Sequence, residues 1–162
     1  MSTINGLPAH VLLVHFVVVL APLTATALIL CSVWPAARRR LVWPTLVLAA
    51  VTTVLTPITT DAGEWLERHV DRTPAVHTHT ELGDTMIYFS VALLAASVVI
   101  AVVHYREVRS RPAGRAVTAV MVTVALLAGG ATIAQVYRIG ESGARAVWGD
   151  QISAAASTGN SR

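Results

Sequence analysis

The sequence predicts an all-α fold, a polytopic membrane four-helix bundle built from two tandem helical hairpins. Three observations lead there. Of 162 residues, 54% are hydrophobic and only 13% charged, against roughly 45–50% and about 25% in ordinary soluble domains. Four apolar segments, about 8–32, 41–60, 84–105 and 116–137, are each long enough to cross a bilayer. All twelve basic residues are arginine, and seven of them gather in two of the connections.

The first span opens with PAHVLLVHF. Pro8 suits the first helical turn, which places His10 in that turn and His15 about 7.5 Å deeper at 1.5 Å per residue. The run is too long, and lacks the leading basic residue, for a secretory leader. The second span carries Thr45, Thr52, Thr56, Thr59 and Gly63 as a narrow stripe of small residues, the usual surface for close helix packing in lipid. It continues outward as GEWLERHV. Thr78 and Glu81 have the spacing of a capping box, so the third helix is expected to start there with His79 in its first turn. The fourth span continues as GESGARAV. The two extensions share G-E-x-x-x-R-x-V at an offset of 77, each with a glutamate four residues before an arginine. Residues 1–153 therefore form one four-span domain with short outer helical extensions after spans two and four, and the small, polar stretch 154–162 reads as disordered.

Arginine placement sets the expected orientation. Arg38, Arg39 and Arg40 lie between the first two spans, and Arg106, Arg109, Arg111 and Arg115 between the last two. The positive-inside rule makes both loops cytoplasmic and both termini extracytoplasmic. Eight of the nine acidic residues and five of the six histidines then fall on or near the outer side. A net charge of +3 reflects topology and not nucleic-acid binding. Cys31 is the only cysteine, which excludes an internal disulfide and a thiolate cluster. No nucleophile, phosphate-loop or regular metal motif is present.

The histidines carry the candidate chemistry. His15 is flanked by Val14 and Phe16, and ionisable groups within spans normally face the bundle interior. His10 and His79 sit at equal depth on the two hairpins, and bundle cores are where facing helices build cofactor sites. His10 and His15 lie about 140° apart around one helix, a poor clip by themselves. His69 and His77 read as solvated loop residues, and His104 stands alone near the inner face. Arg138 is placed to pair with haem propionates and Gln135 is its neighbour. Glu64, Glu81 or Asp84 are positioned to complete a metal site with His10, His15 and His79, since imidazole with carboxylate suits copper, zinc or iron.

The opening HVLLVHF, the HTELGD ahead of the third span and the four spans together resemble a bacterial membrane family catalogued as domain of unknown function 2231. His10, His15 and His79 match histidines of that family's pattern. The sequence departs from it in having Ala9 before His10, and Val11 and Val17 where prolines usually stand. The resemblance covers nearly the whole chain and implies no assigned activity. In outline the helices are also similar to small cytochrome b membrane proteins.

The leading expectation is a protein of the bacterial cytoplasmic membrane holding one b-type haem near the extracytoplasmic face for electron transfer. His15 and His79 are the expected axial pair, with His10 and Arg138 supporting, and quinone or an extracytoplasmic redox protein as partner. The alternatives are a haem-free transition-metal site of His10, His15, His79 and Glu64, or a cofactor-free subunit of a homo-oligomer or larger membrane complex.

Overall fold

A computed structural model describes the backbone of residues 3–4, 7–71, 73–109 and 112–159, and within these the side chains of 8–149. Two-residue strands, β1 (Thr3–Ile4) and β2 (Leu7–Pro8), pair antiparallel ahead of five helices: α1 (Ala9–Val33), α2 (Pro35–Glu67), α3 (Pro74–Asp84), α4 (Met86–Arg109) and α5 (Arg115–Gly159). Four helical stretches are long and apolar enough to cross a membrane, with α3 and α4 forming one of them. The exposed Tyr88 and Tyr105 of α4 stand 17 residues apart. That is about 26 Å of helix.

The helices form a ring in the order α1, α2, α4, α5, with α3 continuing above α4. Trp34 alone separates α1 from α2, and Pro35 starts α2 at a position that needs no amide donor. The third helix begins earlier than the capping-box reading expects. Thr73 is the cap, its Oγ1 accepting from the Val76 amide at 3.3 Å, while Thr78 returns its hydroxyl to the Pro74 carbonyl. The chain then breaks at Thr85. Gln135 of α5 closes this break by donating Nε2 to the Leu82 carbonyl at 3.0 Å and to Thr85 Oγ1 at 2.8 Å.

Close packing explains the threonines. Thr24, Thr52, Thr56, Thr59 and Thr132 are buried, and each donates its hydroxyl to the carbonyl four residues back. They present a methyl group to neighbouring helices and leave no polar atom unpaired. The glutamate–arginine pairs of the extensions form as expected, Glu64 with Arg68 at 3.7 Å and Glu141 with Arg145 at 2.6 Å. Arg38 differs from its role as a loop charge. It is buried, 3.4 Å from Glu107 and donating to Met121 Sδ, because α2 begins so soon after α1 that Arg38 falls inside the bundle. Helix α5 runs to Gly159, into the stretch expected to be disordered, where Ala154, Ala155 and Ala156 are strong helix formers. Residues 160–162 lie outside the described residues.

Two adjacent glycines of α5 test the packing. A Cβ on Gly129 would lie 2.9 Å from Ile29 Cδ1 and 3.3 Å from the Ala25 carbonyl oxygen, whereas nothing lies within 4 Å of one on Gly130. Gly129→Leu is expected to destabilise the bundle by about 1–3 kcal/mol, and Gly130→Ala to leave stability unchanged or raised. Thermal melting followed with a thiol-reactive fluorophore reads this directly, since the sole cysteine, Cys31, is buried until the bundle opens.

Candidate functional site

In the first turn of α1, His10 meets the C-terminal part of α2. Its Nδ1 lies 3.0 Å from the Thr59 carbonyl oxygen. That oxygen cannot donate, so Nδ1 carries the proton. The reason His10 reaches this carbonyl is Gly63. In a helix the side chain of residue i+4 leans back over the carbonyl of residue i, and glycine leaves that carbonyl open. A Cβ on Gly63 would stand 3.0 Å from His10 Nδ1 and 3.1 Å from Cε1.

Helix α3 repeats the arrangement against α5. His79 Nδ1 donates to the Ile139 carbonyl at 3.2 Å and to Ser142 Oγ at 3.0 Å. Its ring lies on Gly143, whose added Cβ would be 3.0 Å from Cε1. Histidine, carbonyl and glycine four residues later thus occur twice. The offset is 69 between the histidines and 80 between the glycines. The same offsets relate buried positions along the bundle: Val17 and Met86, Ala21 and Ser90, Leu28 and Ser97, Cys31 and Ile100 on one helix pair, Thr45 and Ala125, Thr52 and Thr132 on the other. The internal two-fold register is therefore 80 for α2 and α5, not the 77 at which GEWLERHV and GESGARAV align. The shared glutamates and arginines are surface residues and do not report the packing.

The two imidazoles face each other across the axis, with ring centroids 6.3 Å apart and planes at 81°. With both Nδ1 atoms committed, both Nε2 lone pairs remain, and among the described residues neither has a partner. They border a cavity of about 650 Å³ between all four helices, within the range of about 300–1,000 Å³ for small-molecule sites. Valines dominate its walls, and Glu67, Asp71 and Asp84 stand at its polar edge. The cavity lining offers electron pairs with no arginine among them.

Other expected site residues stand elsewhere. His15 is exposed on α1, with Nδ1 donating to the Val11 carbonyl of its own helix, and it does not line the cavity. The expectation that it faces the bundle interior is not met, because α1 is apolar on every face and the imidazole satisfies itself locally. Arg138 is exposed and absent from the cavity wall. Glu64 is half exposed and paired with Arg68. The set His10, His15, His79 and Glu64 is thus not assembled, and among the described residues no three histidine, cysteine or acidic side chains converge on a metal position. His69 stacks on Trp65 at 4.0 Å and donates to its carbonyl. His77 is largely exposed, 3.3 Å from Glu81. His104 is buried on α4 at the arginine-rich end, far from the pair. Gln135 holds the α3–α4 break. Sequence reasoning missed Gly143 and Ser142 altogether and took Gly63 only for packing; a glycine four residues after a buried core position in both extensions was the available signal.

The glycine seats generate a test. Gly63→Ala is expected to shift the His10 imidazole and Gly143→Ala the His79 imidazole, each lengthening its Nδ1 hydrogen bond, whereas Gly140→Ala, with nothing within 4 Å of its Cβ, should move neither. Imidazole ¹⁵N chemical shifts report the Nδ1–H tautomer, and unchanged shifts in Gly143→Ala would contradict the seat.

No curated protein and no solved structure matches the chain. The family described as Predicted membrane protein (DUF2231) matches residues 6–156. That match spans α1 to α5 and both imidazole seats, and the chain belongs to the DUF2231 family of predicted membrane proteins.

Proposed function

We propose that this membrane protein is an electron-transfer protein in which His10 and His79 present Nε2 to a single b-type haem at one end of the bundle. The observation that carries the reading is the facing pair itself: two imidazoles 6.3 Å apart, each with Nδ1 fixed on a backbone carbonyl, opening on an apolar cavity. Rings at that separation would leave room for one metal centre between their Nε2 atoms, so the donor set would fit. Haem supplies reversible one-electron chemistry when ligated in this way.

The chain's own residues supply the rest. Carbonyls of Thr59 and Ile139 hold each ring and make its Nε2 more basic, the usual outer-shell role. Ligation uses the unprotonated form of each Nε2, which the Nδ1–H tautomer presents to the cavity. Valines of α1 and α5 exclude water. The pair differs from the His15–His79 choice the sequence favoured, because His15 faces outward.

A second reading, a metal ion without porphyrin, is favoured by one observation. The cavity edge carries Glu67, Asp71 and Asp84 and no cation for propionates, and copper, zinc or iron would gain from that charge. By the positive-inside rule the arginine-rich end faces the cytoplasm of a bacterium, and the histidine end and both termini face outward.

Expression with ample iron and haem precursor, purification, and visible spectra before and after dithionite test the reading. Wild type and His15→Ala are expected to show reducible haem bands, and His10→Ala and His79→Ala to lose them. A colourless protein with stoichiometric metal would replace haem by the ion, and a protein with neither would leave the cofactor-free subunit reading.

A further inference from the structure

The internal two-fold makes the cavity wall a controlled comparison. Lining positions occur in equivalent pairs, offset by 69 between α1 and α3–α4 and by 80 between α2 and α5. Near the axis the pairs agree: His10 with His79, and Gly63 with Gly143. Away from the axis four pairs diverge in the same sense, Val11 with Thr80, Val136 with Thr56, Gly140 with Thr60 and Val147 with Glu67, while Val17 with Met86 and Ala146 with Leu66 are apolar on both sides. Between α1 and α5 the cavity is edged by Val11, Val136, Gly140 and Val147. At the equivalent exit between α3 and α2 stand Thr80, Thr56, Thr60 and Glu67, joined by Asp84.

One exit is therefore hydrocarbon, while the other sets the carboxylates of Glu67, Asp71 and Asp84 beside Leu66, Val70 and Val76. Val11 is 41% exposed and Val147 63%, so the apolar edge is open to the outside. Exposed Tyr137 and Trp148 bracket Gly140 to Val147 on α5, which sets this exit at interfacial height. A water-soluble partner would gain nothing from such an edge. A lipid-dissolved one reaches it without leaving the membrane, and exchanges lipid contacts for a flat slot of valine and glycine.

We infer that the partner of the histidine site is a lipid-soluble carrier of the quinone class, seated in the valine-edged exit between α1 and α5, while the exit between α2 and α3 opens to water. The location follows from the broken symmetry alone, and the redox character of the ligand rests on the electron-transfer reading. A partner held in this slot lies beside the imidazole pair without displacing either ring.

Two glycines supply the test. Gly140 edges the lipid exit and Gly83 the aqueous one, and an added Cβ meets nothing within 4 Å at either. Gly140→Leu and Gly83→Leu each plug one exit without a clash that would prevent folding. Full-length protein in lipid nanodiscs is irradiated with a photoreactive azido-quinone bearing a decyl chain, and labelled peptides are mapped by mass spectrometry. Label is expected in 11–18 and 136–147, reduced roughly tenfold or more by Gly140→Leu and by less than about twofold by Gly83→Leu. Labelling indifferent to Gly140→Leu, lost in Gly83→Leu, or competed equally well by an alkane-chain analogue lacking the quinone ring would overturn the inference. The haem spectrum of the same samples separates the two readings. A colourless protein labelled in this pattern removes haem and keeps the exit, and a red protein without the label removes the carrier alone.

Discussion

Every polar group in this bundle has to find its partner inside the protein, because lipid offers none and an unsatisfied group there costs several kcal/mol. The buried threonines meet the requirement on their own helices, and Gln135 meets it for the carbonyl freed at the α3–α4 break. Arg38 and Glu107 meet it by pairing with each other. Among the described residues one fully buried side-chain atom, Ser97 Oγ, lacks a partner. The histidine pair stands out against this background. Each ring satisfies one nitrogen on a carbonyl and keeps the other for the cavity, so unused bonding capacity is concentrated at one place.

Glycine is what makes that concentration possible. A carbonyl inside a regular helix is normally shielded by the side chain one turn on, and a second hydrogen bond to it from outside is sterically difficult. Gly63 and Gly143 remove the shield at one carbonyl on each of α2 and α5, and the opposing helix supplies a histidine at that height. Seat and ring are mutually dependent: a larger residue displaces the imidazole, and without the imidazole the glycine would leave a gap beside the cavity. Helix-weakening residues otherwise costing about 1 kcal/mol relative to alanine are thereby explained by contact.

Much of this was legible before the fold was known. Span number, hairpin pairing, the equal depth of His10 and His79 and the outer ion pairs follow from hydropathy, arginine placement and helical rise. What was not legible is rotation about each helix axis. In α1 apolar residues surround the whole circumference, so no hydrophobic stripe says which side packs, and His15 is exposed despite lying deeper than His10. The offset of 77 failed for a related reason, since surface charges match by local helical pairing and the interior register is set by residues such as Thr52 and Thr132. Arg38 was read by charge alone, although its distance from the end of α1 is too short for it to remain outside the bundle.

A repeat that keeps some positions and varies others separates what the centre needs from what its surroundings need. Imidazole, carbonyl and glycine are the same in both halves, which is the requirement of a ligand that contacts both sides alike. The edges differ, valine against threonine and glutamate, which no symmetric ligand would require. The proposed asymmetric supply would require it, with one reactant arriving from hydrocarbon and water or ions reaching the other face. Packing accounts for buried Thr56, whose hydroxyl stays on its own helix, but not for Glu67, whose equivalent Val147 shows that an apolar residue fits the same backbone position.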